Sequence, residues 1–355
     1  MDIKDFNVEN EDARLKNVPG AMSFFSKYGF RLFAGTLLVY LICYLGQYIA
    51  VALFSQYNPG FFSKLASDYT YNLVFSLSIQ YVLAMPVLAL VLSAKLPAKT
   101  PEKRKVGFGW FVAFLIIAYS LMFTTNLLGT GINSAISSLY GKSISTYDVQ
   151  DMIENANLWV VSVCTVFFAP VIEELIYRKI IIDRCSQYGE AASALVSGLA
   201  FGIAHGNFTQ GLYAFVFGYF LAIIYNKTGK IYITIGIHMI VNFMGSFVPL
   251  SLMKIVDINA VNSLNFDDID AAINYVQSNG FGLTLLALYE MLIVGFIVAG
   301  IVLLIVNRRR FMPKPGEIKL PKGMTFNVVM GNAGMYIFVI ASILYIIYTF
   351  IRGLT

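Results

Sequence analysis

Residues 168–181 read FAPVIEELIYRKII, with two adjacent carboxylates, Glu173 and Glu174, inside an otherwise apolar run. An unpaired charge buried in hydrocarbon costs several kcal/mol or more, so such residues in a membrane span face partners, water or a reaction. Whether this run is a membrane span depends on the rest of the chain. Of its 355 residues, 58% are hydrophobic and only 13% are charged, and the mean hydropathy is +0.71. That is far more apolar surface than one soluble core can hide, and it predicts an all-α polytopic membrane protein.

Working outward, apolar stretches able to cross about 30 Å of hydrocarbon at about 1.5 Å per residue occur at roughly 32–54, 71–94, 107–129 and 158–182. Five more follow at roughly 190–206, 210–226, 231–252, 280–306 and 328–351, giving about nine transmembrane helices. Positive charge tests the count, because Lys and Arg collect on the cytosolic side of spans. With the N-terminus inside, 21 of the 25 basic residues fall in inner segments, and only Lys64, Lys142, Lys254 and Arg352 fall outside with the acidic Asp267, Asp268 and Asp270.

The expected organisation is a cytosolic N-terminal arm (1–30), N-terminal transmembrane helices (31–154), a core in spans four to seven (155–252) and C-terminal helices (253–355) with a basic cytosolic linker at 307–327. The loops at about 130–157 and 253–279 are long enough for a short surface helix. The opening residues lack the basic-then-apolar pattern of a signal peptide. The net charge of +5 follows from orientation and attraction to anionic lipid headgroups, with no nucleic-acid partner required. Cys43, Cys164 and Cys185 are odd in number and far apart, which speaks against a disulfide framework or a thiolate zinc site.

The chain has two histidines, His205 and His238, both in or at the end of apolar spans in the same half as the glutamates. Residues four apart share a helix face, whereas neighbours point about 100° apart. Glu174 lies four before Arg178, the favourable order for an ion pair, which leaves Glu173 turned toward a different space. His238 lies four before Asn242, and Phe201 lies four before His205. Ala194, Gly198, Gly202 and Gly206 recur every four residues, a stripe that lets a neighbouring helix approach closely. Pro170, one turn before Glu173, can kink its helix and free a carbonyl. Glu290 stands alone in the eighth span and reads as a structural or snorkelling carboxylate.

These groups suit hydrolysis. Glu173 with His205 could activate a water, while His238 and Asn242 donate hydrogen bonds to the oxyanion formed on an amide carbonyl. A second chemistry uses the same residues: Glu173, His205 and His238 as ligands of a zinc ion that activates the water. The H-E-x-x-H pattern of zincins is absent, and the sequence does not choose between the two.

The three motifs EELIYR (173–178), FGIAH (201–205) and HMIVN (238–242), in successive helices, resemble the motif set of the CAAX-protease and bacteriocin-processing (CPBP, Abi) family of intramembrane endopeptidases. The resemblance covers about residues 155–250. It implies an all-helical membrane core, cleavage of peptide bonds near the membrane, water activation by Glu173 and His205, and oxyanion stabilisation by His238 and Asn242, with Glu174 and Arg178 completing the site. It also implies a multi-pass protein of the bacterial plasma membrane acting on a membrane-associated peptide or protein. A non-enzymatic immunity or peptide-binding scaffold could use the same polar pocket. A proton-coupled transporter using Glu173, Glu174 and Glu290 would be expected to show inverted repeats, and none is visible.

Overall fold

The computed structural model describes residues 11–140, 155–256 and 269–354, and within them all regular structure is helical. An apolar chain in hydrocarbon must satisfy its own backbone polar groups, which helices do within one segment. The elements are α1 (Val18–Tyr57), the short α2 (Pro59–Ser67), α3 (Tyr69–Ser93), α4 (Phe108–Tyr140), α5 (Leu158–Tyr188), α6 (Glu190–Ala204), α7 (Phe208–Thr228), α8 (Ile231–Ile255), α9 (Ile269–Phe311), the short α10 (Thr325–Met330) and α11 (Ala333–Leu354). Eight helices among the described residues are long and apolar enough to cross a membrane. The fifth apolar segment is α6, a 15-residue helix, about 22 Å long and so shorter than the hydrocarbon core.

Helix α6 is held by its neighbour. A Cβ on Gly198 would lie 2.9 Å from the Tyr219 backbone nitrogen, and one on Gly202 would lie 2.8 Å from Gly211 O, so α7 packs directly against the glycine stripe. Gly206 departs from the stripe: it lies beyond the end of α6 with φ +67°, where the chain turns toward α7. Helices α5 and α8 close the core, α4 backs α7, and α9 lies on α4, where Ser120 Oγ donates to Ile297 O at 2.9 Å. On the other flank α1 packs against α3 and α11, and Gly334 N donates to Ser26 Oγ at 3.2 Å.

The segments grouped together by charge meet at one end of the molecule. Lys99 N donates to Asp183 O (2.6 Å), Arg104 N to Thr228 O (2.9 Å) and Glu190 N to Lys314 O (3.0 Å). Asn17 Nδ2 reaches Lys319 O at 3.0 Å. At the opposite end, Asn157 N donates to Thr70 Oγ1 and Asn133 Nδ2 to Thr209 Oγ1.

Some boundaries differ from those expected. Helix α1 begins at Val18 and buries Ala21, Phe25 and Tyr28, so residues 18–30 belong to the packed helix and not to a soluble arm. Helices α4 and α9 likewise run into the stretches 130–140 and 269–279 that were expected as loops. Lys4, Lys142, Asp267 and Asp268, and any surface helix within 141–154 or 257–268, lie outside the described residues.

Candidate active site

The site begins with a change of helical register in α5. Residues Val163–Phe168 form a π-helical turn, in which Ala169 N bonds to Cys164 O, five residues back. The next bond in that register would join residue 170 to Thr165 O, but Pro170 has no N–H. Asn242 fills the place: its Nδ2 donates to Thr165 O at 2.9 Å. The carbonyl that Pro170 leaves free thus fastens α5 to α8. A second π-helical stretch, Glu174–Ile180, starts immediately after Glu173.

The two glutamates diverge as expected for neighbours on a helix. Glu174 is fully buried, with its Oε2 3.1 Å from Arg178 Nε and its Oε1 3.0 Å from His238 Nδ1. The arginine contact is an ion pair without aligned hydrogen-bond geometry, and the guanidinium lies over the Phe201 ring at 4.4 Å. Phe201 also presents an edge-type contact to His205 (5.0 Å between centroids) and to His238 (5.7 Å). The shelf expected beneath one histidine therefore seats both and the arginine. Phe217 holds His238 from another side at 5.2 Å.

Both imidazoles are oriented through Nδ1. His205 Nδ1 lies 2.9 Å from Phe201 O, a carbonyl near the C-terminus of α6 that lacks its usual helical donor. Carbonyls and carboxylates only accept, so Nδ1 carries the proton in both rings and Nε2 is the working nitrogen. His238 Nε2 faces Glu173 Oε2 at 3.8 Å. Glu173 Oε1 accepts a 2.7 Å hydrogen bond from the hydroxyl of Tyr81 on α3. Exposure divides the set: the Glu174 and Arg178 side chains are 0% exposed and His238 4%, but Glu173 retains 14%, and His205 is half-buried.

Tyr81 was not among the residues singled out from sequence, and no motif marks it; its only signal is a hydroxyl within the apolar run IQYVLA. Among the described residues no group of three or more His, Cys, Asp or Glu is placed to hold a metal ion; His238 has Nδ1 on Glu174 and Glu173 has one oxygen on Tyr81. Glu173, His205 and His238 as placed therefore do not form a three-ligand zinc site. Glu290 is exposed on α9, which packs on α4 and the end of α8, so it does not join the other two glutamates. The three cysteines are free.

Residues 155–244 match the family model described as Type II CAAX prenyl endopeptidase Rce1-like, and that segment contains all three motifs. Over that quarter of its length the chain is similar to the CAAX-protease family. The chain is also similar to "Putative membrane peptidase YdiL" of Bacillus subtilis (strain 168), 26% identical over 169 residues that cover 46% of this chain and 67% of that relative. No solved structure matches. Family and relative together support a multi-pass membrane protease.

Proposed function

We propose that the protein is an intramembrane endopeptidase that hydrolyses a peptide bond in a membrane-associated protein or peptide. The observation that carries this reading is the division of labour by burial. Glu173 and His205 remain reachable, whereas Glu174, Arg178 and His238 form a buried support beside them.

Glu173 takes a proton from water as the hydroxide oxygen attacks the scissile carbonyl, and His205 Nε2 orients that water. The resulting oxyanion receives a hydrogen bond from His238 Nε2 in its protonated form, with Nδ1 kept on Glu174. Asn242 has one amide hydrogen on Thr165 O, and its second is the one that can serve the oxyanion. Collapse of the tetrahedral adduct breaks the C–N bond as Glu173 returns its proton to the leaving amine. Glu174 plays toward His238 the part of the carboxylate in a Ser-His-Asp triad, fixing tautomer and ring direction.

The test is cleavage of a membrane-tethered peptide library by purified protein in lipid nanodiscs. Glu173→Gln, nearly isosteric, should lower the rate by about 10² to 10⁴ while the protein still accumulates. Wild-type cleavage retained by Glu173→Gln, His205→Ala and His238→Ala would sink the reading and favour a peptide-binding scaffold.

A further inference from the structure

We infer that Tyr81, on α3 and outside the segment matched by the family model, is a positioning residue that sets the direction of the Glu173 carboxylate. The inference rests on the peptidase reading for its catalytic consequence, but the contact itself is independent of that reading. Glu173 ends an α-helical turn just before the π-helical stretch Glu174–Ile180, and its side chain has three rotatable bonds. Glu174 is held by two partners, Arg178 and His238, whereas the only hydrogen bond to Glu173 among the described contacts comes from Tyr81, at 2.7 Å. His238 Nε2 is 3.8 Å from the other oxygen.

A hydroxyl donating to a carboxylate makes a strong, short hydrogen bond, and it occupies one oxygen only. With Oε1 taken, Oε2 is the oxygen left to receive a proton, on the side where His238 Nε2 lies. Tyr81 is well placed to be rigid. It sits within the π-helical turn Ile79–Ala84, against which α1 packs, and its ring packs against the main apolar core. A π-helical turn widens the helix by one residue and is frequently found at functional sites. The N-terminal helices thereby contribute a group to a site whose motifs all lie later in the chain.

The experiment uses the full chain in nanodiscs and compares wild type with Tyr81→Phe, which keeps the ring and removes the hydroxyl. The first readout needs no substrate: the rate at which dicyclohexylcarbodiimide modifies Glu173, followed by mass spectrometry. Freed from its donor, Glu173 should react at least threefold faster in Tyr81→Phe, at an unchanged melting temperature; equal rates would overturn the contact. The second readout is cleavage of a tethered peptide. A roughly tenfold loss in kcat with KM within twofold is expected, and rescue of neither parameter should come from Tyr81→Leu, which also lacks the hydroxyl. Unchanged kcat in Tyr81→Phe would overturn the positioning role. Failure of the peptidase reading shows separately, as wild-type cleavage that does not depend on Glu173.

Discussion

Glu174 and Arg178 are fully buried four residues apart, an arrangement that is costly to break and much cheaper to replace. Arg178→Met alone should leave a buried carboxylate without its cation and destabilise the protein by about 3–5 kcal/mol, read as a fall in melting temperature. Adding Glu174→Gln should restore most of that stability, because the pair as a whole contributes little net energy once its desolvation is counted. Activity should not recover with it: His238 Nδ1 would lose its carboxylate partner, and cleavage should remain down by about 10- to 100-fold, the usual effect of losing an orienting partner. Recovery of stability and cleavage together would show that Glu174 serves only the charge balance. The ion pair itself was legible in sequence because it is local, whereas the attachment of His238 to the same carboxylate was not.

At the scale of elements, the π-helical turn in α5 and the glycine face of α6 make separate predictions. Asn242→Leu should leave Thr165 O without its donor and cost about 1–3 kcal/mol. Pro170→Ala in that background restores an N–H in the π register and should recover part of the loss. In a protein that keeps Asn242, the same change removes no unmet bond and should stabilise less. Thermal melts of the four proteins check this, and equal effects of Pro170→Ala in both backgrounds would contradict the register argument. For α6, Gly198→Leu places a side chain where the Tyr219 backbone already stands and should cost about 1–3 kcal/mol or more through overpacking. Gly295→Leu, where nothing lies within 4 Å, should stay within about 0.5 kcal/mol. The stripe was readable as a packing signal, but its last member, Gly206, serves the turn after His205 and not the helix face.

For the whole molecule, the outer helices complete the site. Besides Tyr81 on α3, Thr349 Oγ1 on α11 donates to Gly206 O at 3.0 Å, fastening the turn that follows His205. The rings of Tyr40 on α1 and Tyr345 on α11 meet at a tilt, 4.5 Å between centroids, beside that glycine. The two polar ends of the bundle also fix which positions share a side of the membrane. In a protein freed of its native cysteines, Lys103→Cys and Lys314→Cys should react with an impermeant maleimide from one side, and Lys64→Cys and Ser134→Cys from the other. With the N-terminus in the cytosol, the first pair is labelled in inverted vesicles only; labelling of positions 103 and 314 from opposite sides would refute the grouping.

Sequence by itself determined the features that act within one segment or through composition. These are the membrane class, the apolar helices, the Glu174–Arg178 pair, the Phe201–His205 contact and the three motifs, because helical periodicity places residues four apart on one face whatever surrounds them. Tertiary structure alone decided that Tyr81 bonds Glu173 across 92 residues, that His238 bonds Glu174 across 64, and that Asn242 spends an amide hydrogen on Thr165 across 77. Such contacts depend on the rotation and depth of each helix against its neighbours. Those are set by which faces interdigitate, as glycine on α6 meets backbone on α7, and spacing along one helix does not encode them.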